Sequence, residues 1–253
     1  MTKKADLAKV YEEKARARRA RNLALAEAGV EFVDIDRAYI SEEVTIGAGT
    51  VIGPDVEISG ATAIGARCYI LAGTRIENCK IGDGVTIDRS VLAGSLIENH
   101  TTVGPFAYVR PGCDIGARVR IGDFVEVKNS FIGDDTKVSH LSYIGDADLG
   151  SGINVGCGVV FVNYDGKEKH RSYVSDDAFI GCNVNIISPV SIGEGAYVAA
   201  GTTVTRNVPA GALCVDRPKA KVLEGWVERR GLLKGRMEKR LGTEQPEQPE
   251  QSE

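Results

Sequence analysis

The chain has 253 residues, 43% of them hydrophobic, and a net charge of −4. That length holds one large domain or two small ones, and the absence of any long apolar run or signal-peptide pattern predicts a cytoplasmic protein with no membrane partner. The six cysteines (68, 79, 113, 157, 182 and 214) have no CxxC spacing, which excludes a disulfide frame or a cysteine metal site and marks them as reduced packing residues.

In chain order, residues 5–28 are rich in Ala, Leu, Arg and Glu without Gly or Pro, and Gly29 follows as a C-cap. This predicts an N-terminal helix occupying residues 1–29. The segment carries +4, including Arg16, Arg18, Arg19 and Arg21. No aromatic interleaving or recognition motif accompanies those arginines, so nucleic acid is not an expected partner.

From about Ile40 to Val208 an aliphatic residue recurs at every sixth position, usually followed by Gly, as in Ile46-Gly47, Ile52-Gly53, Ile64-Gly65, Ile121-Gly122, Ile180-Gly181 and Ile192-Gly193. A period of six fits neither a helical turn nor a long two-residue alternation. It is the mark of a solenoid in which each hexad makes one short strand and its corner, and three hexads close a triangular coil. The fold class is therefore an all-β solenoid, a parallel β-helix of hexapeptide repeats. Coils of this kind are known for running left-handed, against the usual crossover rule. The repeat slips by one residue at 76→81, 87→92, 92→97, 127→132 and 144→149, giving roughly nine coils within a domain at 30–216.

One interruption is large. Residues 162–173 fall outside the register, and an insertion of that size in a solenoid maps to a loop on one face. After the coil, residues 217–240 carry +6 and read as a basic, partly helical C-terminal segment, while 241–253 carry −4 in a Glu-Gln-Pro repeat that predicts disorder. The coil itself carries −10. The basic segment reads equally as a solvated face or as a partner for an anionic ligand.

Unusual polar residues cluster between 110 and 169: Arg110, Glu126, Lys128, His140, Tyr143, Asn154, Asn163, Tyr164 and Lys169. Arg110 and Lys128 are eighteen residues apart, one full coil, so they stack about 4.8 Å apart on one edge. Like charges so placed are unfavourable without an anion between them. Lys128 and Asn154 are read as presenting the same side. The set points to a phosphate held beside a histidine. His140 is one of three histidines; a three-histidine zinc site would need another on the adjacent strand, but position 145 is Gly, and His100 and His170 have no fitting spacing. A general base oriented by Glu126 is the better reading, and no metal is expected.

These residues carry a resemblance. Pro105-Phe-Ala-Tyr-Val-Arg-Pro-Gly112, Gly122-Asp-Phe-Val-Glu-Val-Lys128, His140-Leu-Ser-Tyr-Ile-Gly-Asp146 and Asn163-Tyr-Asp-Gly166, extended by Ala199-Ala-Gly-Thr-Thr-Val-Thr-Arg206 and Glu224-Gly-Trp226, look like the acetyltransferase half of the bifunctional glucosamine-1-phosphate N-acetyltransferase/N-acetylglucosamine-1-phosphate uridylyltransferase. The resemblance implies a homotrimer with sites between subunits, acetyl-CoA as donor and glucosamine 1-phosphate as acceptor. By that resemblance His140 is the catalytic base and Glu126 its acidic neighbour. Arg110, Lys128, Tyr143 and Asn154 are sugar-phosphate contacts, with Lys169 near substrate. Asn163, Tyr164, Cys157, Cys182, Ala200, Arg217 and Trp226 fall at the acetyl-CoA site, Trp226 offering a flat face for adenine.

Two departures stand out. Cys157 and Cys182 stand where the family typically has Ala and Ser, which predicts sensitivity to thiol reagents with protection by acetyl-CoA. The Gly-rich opening segment of the uridylyltransferase half has no counterpart beyond Gly47-Ala-Gly-Thr50, which lies inside a hexad. The sequence thus predicts an N-acetyltransferase working with a separate uridylyltransferase. The alternatives are an acetyltransferase for another phosphorylated or nucleotide-linked amino sugar, and a non-catalytic trimeric partner.

Overall fold

A computed structural model describes residues 2–216 and 219–232. Two compact units divide the chain, residues 1–217 and 218–253.

The first unit is a left-handed parallel β-helix preceded by a helix, Thr2–Glu27. Helix α1 closes in a Schellman arrangement: Gly29 takes a φ of +95°, its N–H donates to Ala26 O, and Val30 N–H donates to Leu25 O. Only the end of α1 is buried. Asn22 has no exposed surface and donates from Nδ2 to the carbonyls of Ile35 (2.8 Å) and Ala38 (3.0 Å). The arginines pin the helix to the first coils: Arg18 lies 4.7 Å over the Tyr39 ring, Arg19 pairs with Asp36, and Arg21 donates to Val44 O.

The coil has three flat faces. The first carries eleven strands from Glu31–Phe32 to Leu213–Cys214, the second ten from Ala38–Ile40 to Thr203–Val204, and the third nine from Thr45–Ile46 to Ser191–Ile192. Thirty strands on three faces make ten coils, one more than the repeat count suggests, because the strands at Glu31–Phe32 and Leu213–Cys214 lie outside the regular hexads. Every pair between consecutive coils is parallel, with the inward aliphatics in register: Ile52, Ile70, Ile87, Val103, Ile121 and Val138 form one such column. Buried aliphatics fill the bore. The glycine after the aliphatic residue has a steric cause. A Cβ on Gly47 would sit 2.6 Å from the backbone nitrogen of Ala66 in the next coil.

Cys68, Cys79 and Cys113 are buried in this bore, where burial pushes their thiols up. The insertion leaves the coil after Val160–Val162 and returns at Ser172–Val174, with an antiparallel bridge between Tyr164 and Lys169 at its base. The second unit contains a short helix, Trp226–Arg229, among its described residues. No helix of the described residues is long and apolar enough to cross a membrane.

Phe161, the largest fully buried side chain, fills the bore beside the insertion. Phe161→Ala is expected to lower stability by about 3–5 kcal/mol in urea unfolding. Because a solenoid couples only neighbouring coils, the increased amide exchange should be confined to the coils flanking residue 161.

Candidate active site

The site is built from one corner of the coil and the face that follows it. At the corner between the first and second faces, the residue two places after the inward aliphatic of each first-face strand is stacked on its counterpart in the next coil. Asp123 pairs with His140. Continuing from Val138↔Val155, Val155↔Ile180 and Ile180↔Val198, the same column holds Cys157, Cys182 and Ala200. Gly122 makes the approach of the first two rungs possible, since a Cβ there would meet Ser139 O at 1.9 Å.

His140 Nδ1 lies 2.5 Å from Asp123 Oδ1. The carboxylate accepts from Nδ1–H, leaving the Nε2 lone pair directed away from the dyad. The imidazole holds the Asp123 carboxyl below the usual carboxylate range. His140 is 58% exposed, so its free nitrogen is open to a substrate.

The expected pairing of His140 with Glu126 is not formed. Glu126 stands opposite Tyr143 on the second face, and its Oε1 accepts from Arg110 Nη1 at 2.8 Å. The corner lies between Asp123 and Glu126, so register gives His140 the aspartate. Sequence reasoning missed Asp123 because it read coil spacing without assigning the corner.

Around the corner, the second face presents the cations. Arg110 and Lys128 are in register, as Arg110 N–H donates to Val127 O at 2.8 Å. Lys128 is largely buried, and its Nζ donates to Asp146 Oδ2 (3.1 Å) and Oδ1 (3.3 Å). Lys169, from the insertion, comes beside it. Burial pushes the Lys128 ammonium down, but its hydrogen bond to Asp146 outweighs this and raises it. The Lys169 ammonium is pushed down by Lys128. Three cations, Arg110, Lys128 and Lys169, thus face two carboxylates, Glu126 and Asp146.

Asp146 is the hub of this face, and nothing in the sequence reading singled it out. It also accepts from Asn129 Nδ2 at 2.6 Å and from Asn163 Nδ2, so Asn163 is buried beneath the insertion. Tyr143 lies across Gly145, whose Cβ would meet the phenol oxygen at 2.4 Å, and the Tyr143 Oη accepts a long bond from Asn163 Nδ2 (3.5 Å). The insertion is held by Asp165, which accepts from the N–H groups of Lys167 and Glu168 and pairs with His170 at 2.7 Å.

Tyr164 is exposed in that loop, its hydroxyl donating to Gly166 O. Asn154 is on a different side from Lys128. The positions in register with Lys128 are Gly145 and then Val162, whereas Asn154 lies on the first face between Lys137 and Phe179. The 26 residues from 128 to 154 are one coil and a half, not a whole number of coils. Trp226 belongs to the second unit, where Arg230 lies 5.4 Å over its ring. Arg217 lies outside the described residues.

No group of three His, Cys, Asp or Glu side chains that would hold a metal occurs among the described residues. A cavity of about 510 Å³ between α1 and the first coils, lined by Tyr11, Arg18, Tyr39 and Glu57, contains no base of the His140 kind. Beside His140, Phe106 and Phe124 stack at 5.6 Å and, with Leu141, form an exposed apolar strip at positive φ.

Comparison with known proteins agrees with this architecture. The model described as "Bacterial transferase hexapeptide (six repeats)" matches residues 94–129 and 171–206, and that described as "Hexapeptide repeat of succinyl-transferase" matches 56–89. The bifunctional protein GlmU of Clostridium acetobutylicum is 50% identical over 208 residues, covering 82% of this chain and 46% of that protein. GlmU of Clostridium beijerinckii is 51% identical over 213 residues, covering 84% and 47%. The chain thus spans about half the length of the curated relatives it matches. Among solved structures, an Arabidopsis UDP-N-acetylglucosamine acyltransferase shares the fold at 16% identity and a TM-score of 0.54, covering 80% of this chain and 78% of that one.

Asp146 provides a test of the cation face. Burial pushes its carboxyl up, but the hydrogen bonds from Asn129, Lys128 and Asn163 prevail and hold it below its usual range. Its contribution is therefore complete above the unfolded carboxylate value of about 3.9 and is lost as pH falls through the folded value. Asp146→Ala leaves Lys128 unpaired and is expected to cost roughly 3 kcal/mol at pH 7 in urea unfolding. The gap to the parent should narrow at pH 3.

Proposed function

We propose that this chain, which belongs to the bacterial hexapeptide-repeat proteins and is similar to one half of the GlmU proteins, is an acetyl-CoA-dependent N-acetyltransferase acting on glucosamine 1-phosphate. The observation that carries the reading is the Asp123–His140 dyad at the edge of a three-cation face. His140 and Tyr143 are three residues apart, at most about 10 Å along the chain, so base and cations serve one small acceptor.

In this reading Arg110, Lys128 and Lys169 bind the acceptor phosphate and so orient the sugar. Tyr143 lies between that phosphate and the base. His140 Nε2 takes a proton from the sugar ammonium, and Asp123 keeps Nδ1 protonated and stabilises the imidazolium that forms. The free amine attacks the thioester carbonyl; the tetrahedral adduct collapses, the C–S bond breaks, and CoA leaves as thiol. Glu126 acts here through Arg110, as a positioning residue.

The corner column supplies the donor lane. From His140 the rungs of Cys157, Cys182 and Ala200 follow at about 4.8 Å intervals, so an extended acyl-CoA arm lying on the column delivers its thioester to the base. Asn163, Tyr164, Arg217 and Trp226 are proposed to complete the CoA site, and Asn154 to reach the acceptor from another subunit. The exposed Phe106, Phe124 and Leu141 strip beside His140 favours a covering second copy, consistent with a homotrimer having sites between subunits.

The test is CoA thiol release from acetyl-CoA and glucosamine 1-phosphate without added metal. Release with this acceptor, and its absence with glucosamine 6-phosphate, is expected. No release from a protein that binds acetyl-CoA would transfer the activity to another phosphorylated or nucleotide-linked amino sugar, and no acetyl-CoA binding would favour a non-catalytic partner of a separate uridylyltransferase. His140→Ala should lower kcat by about 10²–10⁴ with the oligomer intact. Lys128→Ala should act mainly on the KM for the acceptor, and an unchanged KM would remove it from the phosphate site.

A further inference from the structure

The column that carries His140 continues into two thiols, and their placement distinguishes them from the other cysteines. Cys157 and Cys182 are direct neighbours in consecutive coils. Val155 pairs with Ile180, and two residues on Asn183 N–H donates to Cys157 O at 2.8 Å, the bond expected when 157 stands opposite 182. Parallel neighbours in register have Cα atoms about 4.8 Å apart with side chains on the same side, inside the range of about 4.4–6.8 Å that a disulfide spans.

Access separates the pair further. Cys68, Cys79 and Cys113 are buried, and their thiols are pushed up. Cys182 is exposed and Cys157 partly so, and among the described residues neither sulfur has a hydrogen-bond partner. The pair also brackets the insertion in sequence, so a bond between the two would close the turn of the coil that contains the loop bearing Asn163 and Lys169.

The geometry points to Cys157 and Cys182 as a dithiol that closes to a disulfide across consecutive coils and blocks the donor lane reversibly. The reaction needs a small disulfide as oxidant. The Cys182 thiolate attacks one sulfur of R–S–S–R, forming Cys182–S–S–R and expelling the first RS⁻, which takes up the proton Cys182 lost. The Cys157 thiolate then attacks the Cys182 sulfur, forming the internal bond and expelling the second RS⁻, which is protonated in turn. Two protein thiols are oxidised and one small disulfide becomes two thiols. A small disulfide that also carries the donor's CoA moiety would be delivered to this column by the same contacts as acetyl-CoA. The effect on activity rests on the donor lane proposed above; the bond itself does not.

The test treats the full chain with excess CoA disulfide, or with glutathione disulfide as a probe lacking the nucleotide, followed by alkylation, intact mass and peptide mapping. The expected result is loss of two thiols, no retained small thiol, and a Cys157 peptide joined to the Cys182 peptide within one chain. Cys157→Ala should retain one small thiol on residue 182. Retention on Cys182 in the parent at the level seen in that variant, or a bond formed only between chains, would overturn the proposal. Acetyl transfer should fall at least ten-fold on closure and return with a dithiol reductant, and saturating acetyl-CoA should slow closure at least ten-fold. Closure at an undiminished rate in the presence of acetyl-CoA would overturn the donor lane while leaving the dithiol in place.

Discussion

The hydrogen-bond ladder between successive coils governs this molecule. Each strand is only two to four residues long, so no coil is stable alone and each depends on its neighbours at one fixed spacing. The spacing admits no lateral freedom. A residue's backbone neighbours are the two at the same position in adjacent coils, so side chains of one column, or of positions next to it, are brought together. Asp123 over His140 and Arg110 over Lys128 are both made in this way.

The ladder also explains where the backbone must yield. Where backbone or a ring comes close, the facing position has no room for a Cβ. Gly122 lets Ser139 approach, and Gly145 clears the space that the Tyr143 ring occupies. At the turns, fourteen non-glycine residues among those described take positive φ, including Phe106, Phe124 and Leu141. Bulky residues in that conformation are costly. Here they place apolar side chains outward next to His140, and the adjoining rungs of the ladder hold them there.

The fold was legible in the sequence because the six-residue period is a direct image of the coil: strand, corner, strand. The site was legible in part. Arg110, Lys128 and Lys169 could be grouped from spacing and from the interruption of the repeat, and the structure brings them to one face. Asp123 and Asp146 were not visible, because a corner residue and a hub beneath a loop have no period of their own. The grouping of Asn154 with Lys128 failed for a related reason. The 26 residues from 128 to 154 are about a coil and a half whether a coil has eighteen residues or seventeen, as between Glu126 and Tyr143, so Asn154 falls on another face.

The distribution of carboxylates keeps the histidine dyad electrostatically apart from the cation face. Glu126 is engaged by Arg110 and Asp146 by Lys128, while Asp123, across the corner, answers only to His140. If Glu126 faced the histidine instead, Arg110 would lose its partner and the cations would face the proton acceptor directly. Three residues of chain at the corner separate the two functions. Lys169 forms no ion pair among the described residues and is depressed by Lys128, so the cation face keeps a surplus positive charge, three cations against two carboxylates. The ladder imposes the approach of Arg110 to Lys128, and the insertion adds Lys169 to it. The ladder therefore brings two cations together by the same constraint that makes the dyad.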